Sequence, residues 1–205
     1  MYFKIHPETP SQRQIRRVAD VLRNDGVIIY PTDTVYALGW RINNTKSEDR
    51  VNQIRKDQKS RTSFSLICKD LSQVSQFTKP LDKSTFKLLK HNLPGPFTFL
   101  LPASNKIPKL YKSKKNIVGI RIPNNNIPLQ IVEELGEPIM TTSLRDNHDE
   151  VMDYIVDPQQ IFEKYKKHVD VIIDGGLGNV EASTVVDCTN NEPYIIREGI
   201  GELVS

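Results

Sequence analysis

Two cysteines in 205 residues exclude a disulfide framework, because a stapled scaffold carries many more in a much shorter chain. Cys68 and Cys188 stand far from any metal-ligand spacing, and His6, His91, His148 and His168 are scattered, so no metal site is expected. No apolar run approaches the roughly 18 residues that a membrane span needs. The opening MYFKIHPETP has no apolar signal core, and a cytoplasmic protein without a membrane partner is expected. A large charge excess is missing too: 28 Lys and Arg against 25 Asp and Glu leave +3, which decides nothing about nucleic acid. Repeats, low-complexity tracts and linkers are also absent. With 38% apolar residues the chain can bury one sizeable core, and a single domain over 1–205 is expected.

What is present is an alternation of β-prone runs with helical spacing. Ser11 is placed to cap a helix carrying Ile15, Val18, Ala19 and Leu22, and Asn24-Asp25-Gly26 stops it before a strand over 27–30. A short helix is expected from Ser47 with Val51 and Ile54, then a strand over Ser63–Ile67 and helices over 70–77 and 82–91. Strands follow at Phe97–Leu101, 118–123 and 138–143, with a helix over 127–135 stopped by Gly136. A helix over 158–167 and strands over 171–176, 183–188 and 194–198 complete the pattern. Such alternation predicts an α/β sheet with helices packed on it, and the two final strands suggest an antiparallel part.

The stretch VIIYPTDTVYALG (27–39) shows where chemistry could sit. Pro31 cannot donate to a sheet ladder, so Thr32, Asp33 and Thr34 emerge at the strand's carboxyl end. Other strands end the same way, in Thr141, Thr142 and Ser143 after 138–140, and VGIRIP carries Arg121. Ligands of open α/β sheets bind outside the carboxyl ends of strands, so these groups are expected to converge on one cleft. Hydroxyls and a guanidinium suit a carboxylate or phosphate. Taken singly, each Thr or Ser reads as a turn or cap residue, but Arg121 needs a partner if it points inward. Asp33 is open to two readings, a base or a cap. DGGLG (174–178) lacks the full dinucleotide fingerprint and the Walker lysine, which leaves a tight turn.

Two basic runs remain. Arg55, Lys56, Lys59 and Arg61 lie in RKDQKSR, between a helix and a strand. Lys106, Lys109, Lys112, Lys114 and Lys115 surround Tyr111. The first suits a polyphosphate and the second a nucleic-acid backbone, while each reads equally as a solvated loop.

Taken together, YPTDTVYALG (30–39), PGPFTFLL (94–101), VGIRIP (118–123), EPIMTTS (137–143), STVVD (183–187) and IIREG (195–199) resemble the YrdC/YciO family. YFKIHP, CKDLS (68–72) and TTSL (141–144) resemble its YciO branch more than the synthases. The resemblance implies a twisted mixed sheet of the YrdC type, with helices packed on it and a basic concave surface. It implies threonylcarbamoyl-AMP synthesis from L-threonine, bicarbonate and ATP with Mg²⁺, without a tightly bound cofactor. A partner then transfers the group to an adenosine of tRNA, and family members also bind double-stranded RNA.

By motif position, Thr32, Thr34, Arg121, Thr141 and Ser143 would bind the substrate. Arg55, Lys56, Lys59, Arg61, Ser183 and Arg197 would serve the nucleotide phosphates. The charge cluster around Tyr111, with Lys109, Lys112, Lys114 and Lys115, would serve the RNA. The chain departs from the synthase pattern twice. Arg55-Lys56-Asp57 replaces Lys-x-Arg with its following proline, and Ser143-Leu144-Arg145 replaces Ser-Ala-Asn. A synthase-like enzyme and an RNA-binding protein that keeps the fold with little or no synthase activity therefore both stay open.

Overall fold

The computed structural model describes residues 1–55, 64–107, 116–144, 154–190 and 192–204. Among the described residues, ten strands form one mixed sheet in the order β1-β8-β2-β3-β7-β4-β6-β5-β9-β10. The strands are β1 (Tyr2–Lys4), β2 (Ile28–Tyr30), β3 (Ala37–Arg41), β4 (Ser65–Ile67), β5 (Phe97–Pro102), β6 (Ile117–Arg121), β7 (Ile139–Ser143), β8 (Val171–Asp174), β9 (Thr184–Asp187) and β10 (Tyr194–Arg197). The described helices are α1 (Gln12–Arg23), α2 (Thr45–Ile54), α3 (Leu71–Phe77), α4 (Lys83–Asn92), α5 (Asn126–Leu135) and α6 (Pro158–Tyr165).

Side-chain oxygens set most helix starts. Asn44, Asp70, Asp82, Asn125 and Asp157 each accept a first-turn backbone N–H, which satisfies donors that the helix itself leaves orphaned. Ser11 stands at the expected N-cap of α1, but its side chain makes no cap hydrogen bond. Gly136 ends α5 at φ 80°, a left-handed conformation that glycine adopts without a steric penalty.

The two faces of the sheet are covered unequally. Side chains alternate along a strand, so in β6 Val118 and Ile120 join one cluster while Gly119 and Arg121 face the other way. That first cluster takes Leu38 and Trp40 from β3, Leu66, Phe99 and Met140, and is closed by Val51 of α2, Val74 of α3, Leu89 of α4 and Ile161 of α6. Among the described residues, the helices that cover the second face are α1 and α5. Ile15, Val18 and Leu22 meet Ile127, Ile131 and Val132 over Ile28, Tyr30, Ile67, Ile139, Val171 and Ile173. Those residues belong to β2, β4, β7 and β8, so the second face beyond β4, on β6, β5, β9 and β10, has no share in that helical cover.

Two strands escape the sequence reading. β1 is three residues long and pairs in parallel with β8. β3 begins within the polar motif and lies antiparallel between β2 and β7. Consequently antiparallel pairing extends well beyond β9 and β10, to β4–β7 and β5–β6. Part of the expected Ser63–Ile67 strand lies outside the described residues, and its observed part is Ser65–Ile67.

Candidate functional site: a polar cavity on the open sheet face

A cavity of about 230 Å³ occupies the uncovered part of the second face. Ser65 of β4, Arg121 of β6 and Thr141, Thr142 and Ser143 of β7 contribute polar groups, as do Thr98 of β5, Ser183 and Arg197. Leu100, Val185 and Ile196 supply an apolar wall. Gly119 keeps the floor low. A Cβ there would stand 2.5 Å from Ser65 Oγ and 3.4 Å from Thr98 Cγ2.

Arg121 is the most constrained of these side chains. Its Nη2 donates to Asp33 Oδ1 at 2.8 Å and to Thr34 Oγ1 at 3.0 Å, and both charged side chains are less than a tenth exposed. Asp33 Oδ2 also accepts the backbone N–H of Asn124. Asp33 is therefore neither a helix cap nor an available base; it is the counter-ion that a buried guanidinium requires. Arg121 Nε is buried and has no hydrogen-bond partner among the described residues.

The PTDT turn is held from behind. Thr32 Oγ1 contacts Thr34 Oγ1, donates to Val35 O and accepts Thr34 N–H, a local hydroxyl turn. Asn179 donates its backbone N–H to Thr34 O at 3.0 Å and its Nδ2 to Asp33 O at 3.1 Å. Asn179 belongs to the loop begun by DGGLG, whose Gly176 has φ +98° and whose Gly175 would place a Cβ 2.6 Å from Pro31 Cγ. Tyr36 Oη donates to Gly176 O, so the glycines serve a tight, closely packed turn.

A second polar group lies on β5, β9 and β10. Arg197 Nη2 donates to Ser183 O at 2.6 Å, with Ser183 Oγ at 3.3 Å, and Ser183 Oγ pairs with Thr98 Oγ1 at 2.8 Å. On the opposite side Thr141 Oγ1 pairs with Tyr30 Oη at 2.7 Å. Burial pushes the Tyr30 phenol up to about 12, so it stays a neutral hydrogen-bonding group at ordinary pH.

Of the residues singled out in the sequence, Arg121, Thr141, Ser143, Ser183 and Arg197 line one cavity, Thr34 touches it through Arg121, and Thr32 stands one hydrogen bond further back. They meet on the face of the sheet rather than beyond its strand ends, because alternation turns these side chains toward the side that α1 and α5 leave open. Arg55 does not line the cavity. It is buried at the end of α2, its guanidinium 5.4 Å from the centre of the Phe64 ring. Lys56, Asp57, Lys59, Arg61, Lys109, Lys112, Lys114, Lys115 and Arg145 lie outside the described residues.

The sequence reading passed over Thr98, Ser65 and Ile196. Thr98 had a signal, since FTF puts it on the face opposite two phenylalanines.

The cavity offers no thiolate. Burial pushes Cys68 far above its ordinary range and Cys188 up to about 12, and neither lines the cavity. Among the described residues no three His, Cys, Asp or Glu are grouped to hold a metal ion, and no described helix is long and apolar enough to cross a membrane.

The Sua5_yciO_yrdC family model, described as "Telomere recombination", matches residues 20–199. Uncharacterized protein YciO of Escherichia coli is 38% identical over 203 residues, 98% of this chain and 97% of that protein. A threonylcarbamoyl-AMP synthase of Chromobacterium violaceum is 31% identical over 137 residues, 67% of this chain and 70% of that protein. The crystal structure of E. coli YciO superposes with a TM-score of 0.91 at 37% identity, covering 98% of this chain and 97% of its own. P. abyssi Sua5 complexed with L-threonine shares the fold, with a TM-score of 0.86 at 24% identity over 97% of this chain and 57% of that one.

Proposed function

The chain belongs to the Sua5/YciO/YrdC family, and on that premise we propose that its open-face cavity binds L-threonine and ATP as a threonylcarbamoyl-AMP synthase or close relative does. The product would serve tRNA threonylcarbamoyladenosine formation. One observation carries the reading: Arg121 and Arg197, on strands remote in sequence, converge on a hydroxyl-lined cavity. A relative named threonylcarbamoyl-AMP synthase matches two thirds of the chain, and the fold recurs in a Sua5 complexed with L-threonine.

In this reading the Arg121 guanidinium holds the carboxylate or carbamate, with Thr141 and Ser143 orienting it. Arg197, Ser183 and Thr98 face the phosphates. A carbamate oxygen attacks the α-phosphorus, forming one P–O bond as the bond to the leaving pyrophosphate breaks. No protein nucleophile is required, and positioning and charge neutralisation supply the rate. None of the described residues that line the cavity is a carboxylate, so Mg²⁺ would be held by the triphosphate that brings it. About 230 Å³ is smaller than the roughly 300–1,000 Å³ of pockets for drug-sized ligands. It suits an amino acid and the adjacent phosphate, with the nucleoside at the mouth.

Pyrophosphate release from ATP, measured with and without L-threonine and bicarbonate, tests the reading. Release that depends on both is expected. The absence of release and of ATP binding overturns it. The lysine-rich window 106–115 favours a second reading, double-stranded RNA held through its phosphates, and the Asp57 and Arg145 departures favour it further by weakening the synthase pattern.

A further inference from the structure

The helices on the other side of the sheet leave a second concavity between them. A groove of about 320 Å³ runs along α3 and α4, with apolar walls from Leu71, Val74, Pro80, Leu81 and Phe86 and with Lys79 beside them. Val74 and Leu89 bury the inner sides of the two helices in the core cluster opposite the cavity, so the groove opens outward. Phe86 stands in it 46% exposed. An aromatic ring left in water gains little from folding, and apolar surface gathered in a concavity with a polar rim marks an interaction site.

The rim charge indicates what the groove receives. Lys83, Phe86, Lys87 and Lys90 share the exposed side of α4 at helical spacing. From Leu71 to Val132 the sequence has one carboxylate, Asp82. That carboxylate is already engaged as the cap of α4, accepting Thr85 N–H, Thr85 Oγ1–H and Ser84 Oγ–H. Lys106 extends the positive rim: its N–H donates to Ser104 Oγ, which donates to Gln76 O in the last turn of α3. The net charge of +3 hides this local excess.

We propose that the groove docks a partner protein through an acidic amphipathic segment, which seats an apolar side chain against Phe86 and sets its carboxylates against the lysines. Segments of this kind present anchors at i, i+3, i+4 and i+7 to an apolar groove, while charges at the rim speed encounter and select the partner. A nucleic-acid backbone matches the lysines but has nothing to fill the walls of Leu71, Val74 and Leu81. The groove and the Arg121 cavity lie on opposite faces of the sheet, so the two sites do not compete.

The test is selection of a displayed random-peptide library on the immobilised full chain, followed by fluorescence anisotropy with the most enriched peptide. Enrichment of peptides that combine Asp or Glu with Leu, Ile, Phe or Trp is expected, with affinity that falls as salt rises. Phe86→Ser should weaken the peptide about tenfold or more, as truncating an anchor does. Joint replacement of Lys79, Lys83 and Lys87 by Gln should slow association and flatten the salt dependence. These exposed lysines keep the test decisive if Phe86→Ser lowers the melting midpoint. Leu177→Ser is the control, at a loop residue 79% exposed outside the groove, and should change nothing. No enrichment, enrichment of basic peptides, or an equal loss in Leu177→Ser overturns the inference. Double-stranded RNA that displaces the peptide and is weakened equally by Phe86→Ser assigns the groove to nucleic acid, and a dimer abolished by Phe86→Ser assigns it to a second copy of the chain; either result overturns it too.

Discussion

Asp33 and Arg121, 88 residues apart, meet inside the protein with Oδ1 and Nη2 2.8 Å apart. The pair joins the PTDT turn to the end of β6, so the turn orients the cavity's buried cation. Removing one member of a buried pair leaves the other charge uncompensated, at a cost of about 3–5 kcal/mol. Asp33→Ala should lower stability by about 3 kcal/mol in denaturant titrations, the low end because the cavity admits water. An unchanged unfolding midpoint would contradict this account of the pair.

Asn179 grips the carbonyls of Asp33 and Thr34, the residues whose side chains hold Arg121. Losing one such hydrogen bond is worth about 1 kcal/mol, so Asn179→Ala should weaken ligand binding about fivefold. The same substitution in an Arg121→Met background should have no further effect. A double-mutant cycle measures this coupling, and simple additivity would mean that Asn179 does not act through Arg121.

Gly119 forms the cavity floor. Gly119→Ala places a methyl against Ser65 Oγ and should cost about 1–3 kcal/mol of stability through overpacking. Adding Ser65→Ala removes the closest contact and should recover most of that stability. Ligand binding should stay impaired, because the methyl still occupies the floor. Recovery of both properties together would show that Gly119 matters for packing alone.

High pH should loosen the fold. Burial pushes Tyr30 from 10.0 to about 12 and Cys188 from 9.0 to about 12, so the folded chain keeps protons that the unfolded chain releases. This contribution is full below the unfolded values and is lost as pH rises through the folded ones. For Tyr30 the loss between pH 10 and 12 is about 2–3 kcal/mol. Denaturant midpoints across that range should fall, and less steeply in Tyr30→Phe. Equal slopes would mean that Tyr30 ionises freely in the folded state.

If double-stranded RNA binds through phosphates, affinity should fall steeply with salt and depend little on sequence. Neutralising Lys112, Lys114 and Lys115 together should flatten that dependence in filter-binding titrations. Salt-insensitive binding would remove the electrostatic account.

Much of the site was legible because residue types and spacing are local. Pro31 had to end β2, and VGIRIP had to put Arg121 on the face opposite Val118 and Ile120. β3 was missed because the small and polar residues around it resemble a loop. Only its pairing on both sides, with β2 and β7, makes ALGWR a strand. Asp33 was misjudged for a related reason: its short-range options were a cap or a base, whereas its partner comes from β6.

The sequence by itself determined the family, the approximate extent of most helices and strands, and which residues of a strand share a face. It did not determine which face would be covered. That was decided when α1 and α5 packed over β2, β4, β7 and β8 and, among the described residues, left β6, β5, β9 and β10 without helical cover, an outcome of long-range packing that periodicity does not encode. Strand order brought Arg121 of β6 and Thr141 of β7, with β4 between them, to one cavity, and the β10 bulge turned Ile196 and Arg197 to one side. A local pattern specifies how a side chain points relative to its neighbours in the chain, but a cavity depends on what lies across from it.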